Sequence, residues 1–149
     1  MKELLIISHL RNDARENLTR ISRSTGIPVS TLFDKIKRYK GDVIRRYTSL
    51  LNFGKIGYDV HVQLMLKAKG NGKLDLERFL MSSLCVNSCY KVNNGFDFMV
   101  ELVFKTMNDY YTFSEQLDNY SMQKKHEFFV LKELKREAFL NDSQMIDML

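Results

Sequence analysis

The segment from Asn17 to Tyr39 is the feature that most constrains how this chain folds, because it predicts two short helices joined by a tight turn. Asn17 suits the N-cap of the first helix, since its side-chain oxygen can accept a backbone N–H of the first turn. Gly26 suits the turn, where a residue without a Cβ takes positive φ easily. Pro28 suits the start of the second helix, where its missing N–H would have no partner.

The second predicted helix is amphipathic. At about 100° per residue, one side is apolar and carries Val29, Leu32, Phe33, Ile36 and Tyr39. The other side begins with small hydrogen-bonding groups and ends with cations: Ser30, Thr31, Asp34, Lys35, Lys37 and Arg38. A helix that enters the major groove with its first turns and holds phosphates with its last turns needs this distribution. An ordinary helix with a solvated cationic face has the same pattern, and the helix alone does not separate the two interpretations.

The net charge of +5 is unevenly distributed along the chain. Residues 1–58 hold 12 Lys and Arg against 5 Asp and Glu, whereas residues 59–149 hold 11 against 13. This asymmetry indicates that the N-terminal part contacts a polyanion and that the remainder has another role. The Ser and Thr residues on the polar helix face favour nucleic acid over an anionic membrane as that polyanion.

Several classes of protein are disfavoured by the sequence. No apolar run approaches the roughly 20 residues of a membrane span, and residues 1–13 do not suit a secretion signal, so we expect a cytoplasmic protein. Cys85 and Cys89 predict reduced structural thiols, because strand geometry would hold them too far apart for a disulfide. The three histidines are scattered, and we expect no metal, no cofactor and no catalytic residues.

The remaining chain predicts an α+β protein. A helix over 3–10 precedes the helix-turn-helix, and residues 43–51 read as an extended linker strand. Beyond residue 58 the order is strand, helix, strand, strand, helix, strand, with Asn108 or Asp109 capping the last helix and the last strand at 126–133. This order is the ferredoxin-like βαββαβ arrangement. Its open sheet face, with His61, Met65, Met99 and Val103, favours a dimer that stacks sheet on sheet.

The chain resembles the Lrp/AsnC (feast/famine) family of transcriptional regulators over nearly its whole length, roughly residues 3–133. No single motif is diagnostic, but their order and spacing together carry the resemblance. The N-terminal matches are Ile6-Ile7, Leu10, Asp13-Ala14-Arg15, Ile21 and Gly26-Ile27. The later matches are Val43-Ile44, Tyr47-Thr48, Leu50-Leu51-Asn52, Lys55-Ile56-Gly57-Tyr58 and Gly95-Phe96-Asp97-Phe98-Met99.

The resemblance implies a sequence-specific DNA-binding regulator that works as a homodimer, with tetramers or octamers as further assemblies. It implies a winged or helix-turn-helix DNA-binding domain at 1–39, a linker strand at 40–57, a ferredoxin-like effector and oligomerisation (RAM-type) domain at 58–134, and a tail at 135–149. Two alternatives stay open: an architectural protein that coats DNA with weak specificity, and an enzyme like the haem-pathway decarboxylases, which resemble this family and act on tetrapyrroles.

Two sets of candidate site residues follow. Base readers are expected at Ser30, Thr31, Asp34 and Lys35, whose side chains can pair with base edges, and phosphate contacts at Arg20, Arg23, Lys37 and Arg38.

The resemblance also points to an effector site on the hairpin, at Asn94, Gly95, Phe96 and Asp97. There Phe96 replaces a usual acidic or polar residue, which leaves Asp97 alone to hold an ammonium group. The resemblance leaves a small-molecule effector open, and we expect weak or absent binding of the common amino acids.

Overall fold

The structure, a computed structural model, describes residues 2–142. It forms two compact units: residues 2–50 together with 134–142, here called the helical unit, and residues 51–133, here called the sheet unit. The division after residue 50 falls inside the predicted linker at 40–57. The described part of the predicted tail belongs to the helical unit, and residues 143–149 lie outside the described residues.

The helical unit contains three helices: α1 (Lys2–Asn12), α2 (Leu18–Thr25) and α3 (Val29–Tyr39). Its core is a cluster of fully or almost fully buried aliphatic side chains: Ile6, Ile21, Ile27 and Leu32. The predicted roles of Asn17 as the N-cap of α2 and of Gly26 in the turn after α2 are confirmed. Asn17 Oδ1 accepts the Thr19 N–H at 2.8 Å, and Gly26 ends the helix with a φ of +69°.

The predicted linker strand is not observed. After α3, Lys40 and Ile44 form an isolated bridge, and residues 45–52 are assigned to no strand. A short 3₁₀ helix, Gly54–Ile56, then leads into the sheet unit. A strand needs a neighbour to share its ladder of hydrogen bonds, and no strand of the described chain pairs with this segment. Within residues 2–142, the segment between α3 and the 3₁₀ helix contains no strand, so no wing hairpin follows α3.

The sheet unit has the predicted ferredoxin-like topology. Its elements are β1 (Val60–Ala68), α4 (Lys73–Ser82), β2 (Val86–Lys91), β3 (Phe98–Phe104), α5 (Met107–Asp118) and β4 (Met122–Phe129). The strands lie in the order β2-β3-β1-β4, and every neighbouring pair is antiparallel. Alternate residues of β1 and β3 enter a core shared with α4 and α5. The residues between them lie on the opposite face of the sheet.

Two predicted boundaries in this unit are wrong. The cap of α5 is Thr106, because its hydroxyl accepts the Asp109 N–H at 3.2 Å and Asp109 Oδ2 accepts the Thr106 N–H in return. Asp109 is thus the third residue of a capping box, not the cap. Strand β4 starts at Met122 and ends at Phe129, four residues earlier at both ends than predicted. Polar residues of its first half, which weaken the apolar signal, still pair with β1.

The described tail is joined to α1 through Arg11. The guanidinium donates to the Glu137 carbonyl at 2.8 Å, to the Glu137 carboxylate at 3.0 Å and to the Phe139 carbonyl at 3.0 Å. Glu137 adopts a φ of +47° in this segment. One arginine therefore holds two backbone carbonyls, two residues apart, and one carboxylate of the tail.

Candidate nucleic-acid interface

Helix α3 is anchored by its inner face. Leu32 is fully buried, and Ile36 and Tyr39 pack against the same core while remaining partly exposed. The predicted DNA-contacting residues on the outer side are exposed: Ser30, Thr31, Asp34, Lys37 and Arg38. The structure therefore brings five of the six predicted α3 candidates to the solvent side of one helix.

Lys35 is the exception. Its Nζ lies 2.8 Å from Glu3 Oε1 on α1, and its side chain is only 22% exposed. The hydrogen bond from Lys35 is the main reason why the pKa of the Glu3 carboxyl lies below its usual value. Because Lys35 follows Leu32 by three residues, it lies about 60° from the buried side chain around the helix axis. Its placement on the exposed polar face is thus corrected: it braces α3 against α1.

Val29 and Phe33 also depart from their predicted positions. Both lie on the predicted apolar side of the helix, yet Val29 is 42% exposed and Phe33 is 59% exposed. Phe33 directly follows Leu32, so it lies about 100° away around the helix, beyond the side chains contributed by α1 and α2. The amphipathic pattern overestimated the width of the buried stripe.

The two arginines of α2 are exposed and differ in their contacts. Arg20 Nε lies 3.2 Å from Glu16 Oε1, with the arginine side chain 81% exposed. Arg23 is exposed in the last turn of the helix. Glu16 also contacts His9 Nδ1 at 2.9 Å, and His9 Nε2 lies 2.9 Å from Ser24 Oγ. This polar network, which sequence reasoning missed, joins α1 to both ends of α2 and contacts Arg20 through Glu16.

The hairpin turn has positive φ at Asn94 (57°) and Gly95 (86°). Phe96 is half-buried, and its ring packs edge-on against His126 with 5.1 Å between centroids. Lys124 Nζ lies 5.6 Å from the centre of the same ring. Phe96 is therefore part of the packing of β4 against the hairpin.

Asp97 is not presented to a ligand. It is 7% exposed, and its carboxylate accepts the Ala68 N–H at 3.0 Å and the Lys73 ammonium at 2.7 Å. Lys67 Nζ lies 3.5 Å away. The Lys73 hydrogen bond is the main cause that holds the pKa of Asp97 below its usual value, against the effect of burial. The position predicted to receive an effector ammonium is already occupied by two lysines of this chain.

A second buried carboxylate lies on the open face of the sheet. Glu101 is 8% exposed, and its oxygens lie 2.8 Å from His61 Nε2, from Asn87 Nδ2 and from Ser88 Oγ. The sequence signal was a single acid in the apolar run of β3. His126 pairs in register with Met65 rather than with His61, so the two histidines do not face each other.

Neither metal nor disulfide chemistry is indicated in the described chain. Within residues 2–142 no three His, Cys, Asp or Glu side chains are grouped to hold a metal ion. Cys85 and Cys89 are free thiols that pack against the core, and burial raises the pKa of both. In the same range no helix is long and apolar enough to cross a membrane.

Comparison with known families decides the relationship. A family model described as the Lrp/AsnC ligand binding domain matches residues 61–139, which is more than half of the chain. The chain belongs to the Lrp/AsnC family. The ferredoxin-like sheet unit is thus the family's ligand-binding domain, and the resemblance inferred from the sequence is confirmed.

Curated relatives and solved structures extend the Lrp/AsnC match to the helical unit. An uncharacterised HTH-type transcriptional regulator of Pyrococcus abyssi is 28% identical over 135 residues, covering 90% of this chain and 92% of the relative. The HTH-type transcriptional regulator FL11 of Pyrococcus furiosus is 28% identical over 116 residues, covering 77% and 72%. Two solved structures share the fold with a TM-score of 0.82. They are a Neisseria meningitidis transcriptional regulator in complex with L-Met, at 19% identity and 91% coverage of both chains, and AsnC of Escherichia coli, at 14% identity and 93% and 96% coverage.

Proposed function

We propose that this Lrp/AsnC protein is a sequence-specific DNA-binding transcriptional regulator that reads the major groove with α3 as a dimer or higher oligomer. The observation that carries the proposal is the outer surface of α3, where polar and cationic side chains are exposed while Leu32 fixes the helix to its core. The basic charge of residues 1–58 supports a polyanionic partner. The curated relatives are named as HTH-type transcriptional regulators. The proposal includes a cytoplasmic, non-enzymatic role.

The proposed contacts divide by position on the helices. Ser30, Thr31 and Asp34 lie in the first half of α3 and are proposed to meet base edges. Lys37 and Arg38, in the last turn of α3, are proposed to meet phosphates, as are Arg20 and Arg23 of α2. Lys35 is left out of the base readers because its ammonium group is engaged by Glu3.

The open face of the sheet supports self-association. Tyr90 is 54% exposed, Phe128 is 53% exposed and Met99 is 36% exposed. The register of the strands puts all three on the face opposite the helices. Apolar area of this kind is normally covered in a soluble protein, and a second copy of the chain satisfies it with two-fold symmetry.

A role for the hairpin as a conventional amino-acid site is not supported by the position of Asp97, whose carboxylate is engaged by Lys73 and Ala68. The L-Met ligand belongs to the Neisseria protein. We therefore propose weak or absent binding of the common amino acids through this residue.

The test of the proposal is selection of bound duplexes from random DNA, followed by competition with bulk DNA. A sequence-specific regulator should prefer the selected site by about 10³ or more. A two-fold dimer should select an inverted repeat with half-sites about one helical turn, roughly 34 Å, apart or a multiple of it. An architectural protein would show little preference, and a single asymmetric half-site bound by a monomer would contradict the dimeric model.

A further inference from the structure

Helix α3 carries an exposed apolar pair along one edge of its proposed DNA-contacting surface. Val29 and Phe33 are one helical turn apart and are 42% and 59% exposed. Neither belongs to the core cluster of the helical unit, nor to the partly buried residues that pack against it. The folding of residues 2–50 therefore does not explain why an aromatic ring stands at position 33.

The neighbours of the pair show what kind of surface it meets. Around the helix, Phe33 is flanked by Lys37 one turn later and by Asp34 next in sequence, both exposed. Arg38 lies in the same last turn. A protein partner with an apolar docking surface would have to bury these charges beside the ring, whereas DNA supplies phosphates for the cations at the edges of the groove.

The major groove of DNA presents one apolar group, the C5 methyl of thymine. The four-residue spacing from Val29 to Phe33 corresponds to a rise of about 6 Å along the helix. Base pairs are stacked about 3.4 Å apart, so the two side chains span close to two base-pair steps. This spacing allows each side chain to meet a different methyl group.

We propose that Phe33, with Val29 beside it, contacts thymine C5 methyl groups in the major groove and is a specificity-determining residue of this protein. The inference rests on the proposed DNA-binding function and deepens it by naming the chemistry that is read. It predicts thymines at adjacent or next-adjacent positions within each half-site, next to the positions read by Ser30 and Asp34.

The experiment removes the methyl group without changing the hydrogen-bonding edge of the base. A duplex selected from random DNA is prepared with thymine and, at single half-site positions, with deoxyuridine. Fluorescence anisotropy measures its affinity for the unmodified protein, for Phe33→Ala and for Val43→Ala. Val43 is a matched control, because it is an apolar residue of the helical unit with 57% exposure that lies outside α3.

The unmodified protein and Val43→Ala should lose roughly fourfold in affinity at one or two deoxyuridine positions, the size expected for one methyl-sized contact. Phe33→Ala should bind the two duplexes equally, with an unchanged melting temperature and oligomeric state. This inference alone would be overturned if the unmodified protein bound both duplexes equally. It would also be overturned if Phe33→Ala lost as much affinity as the unmodified protein when deoxyuridine replaces thymine. A changed oligomeric state in Phe33→Ala would reassign the residue to a protein interface. Failure of the unmodified protein to prefer any duplex would instead remove the proposed function as well.

Discussion

Replacing Asp97 by Asn tests whether this carboxylate holds the sheet unit together. The side chain joins three parts of the unit, since it follows the hairpin, accepts the N–H of Ala68 at the end of β1 and accepts the ammonium of Lys73 in the first turn of α4. Asn keeps the size and one oxygen acceptor but loses the charge. It also replaces the other acceptor with an amino group that faces a lysine.

The size of the effect follows from these contacts. A hydrogen bond to a charged group contributes about 1.5–3 kcal/mol, and the pair with Lys73, whose side chain is 49% exposed, adds no more than about 1 kcal/mol. Because Asn can keep one of the two acceptors, we expect a loss of about 1–2 kcal/mol. For a unit of this size that corresponds to roughly 5–10 °C in melting temperature.

The pH dependence has a defined sign. The pKa of Asp97 is lower in the folded protein than its usual value, so the stabilisation is fully present above the unfolded-state pKa of about 3.9. It is lost as the pH falls through the lower folded-state value. The difference between the two proteins should therefore be full at pH 7 and shrink under acid conditions.

Thermal unfolding followed by circular dichroism at pH 7 and at several acid pH values measures both effects. Asp75→Asn is the matched control, because Asp75 is an acid of α4 with a 70% exposed side chain that pairs with Arg78, and its loss should have little effect. Equal melting temperatures for Asp97→Asn and the unmodified protein at pH 7 would refute the structural role. A difference in melting temperature between the two proteins that does not change with pH would also refute it.

Three further predictions follow from the placement of the charged residues. Arg38→Ala should weaken binding to all DNA sequences alike and lower the salt slope by about one unit. Lys35→Ala should leave the recognised sequence unchanged, because Lys35 contacts Glu3. A shift in base preference in Lys35→Ala would restore Lys35 as a base reader. A thermal-shift screen of the unmodified protein with the twenty common amino acids should show no rise of several degrees, and such a rise would show that a binding site has been overlooked.

Local chemistry explains which parts of the fold could be predicted from the sequence. Asn17 and Gly26 act within a few residues of their own positions, so their roles at the ends of α2 were predictable. The alternation along β1 likewise reports its buried face directly. Thr106 was missed because a Thr, an Asn and an Asp all occur near the start of α5, and only the observed pair of hydrogen bonds shows which residue is the cap.

The site residues depended on contacts between distant parts of the chain. Glu3 is 32 residues from Lys35, and Lys73 is 24 residues from Asp97, so neither pairing is visible in a local pattern. The exposure of Phe33 depends on how far α1 and α2 extend around α3, which helical periodicity does not determine. The linker lacks a strand for a related reason, since pairing depends on a partner that the pattern of residues 43–51 cannot supply.

The contacts of Arg11 give the protein the chain topology of an inserted domain. Residues 51–133 interrupt a helical unit that is completed by 134–142, and Arg11 joins the two segments through Glu137 and Phe139. A fragment ending at residue 50 would leave the guanidinium of Arg11 without those acceptors, so it would not be equivalent to the same residues in the whole protein.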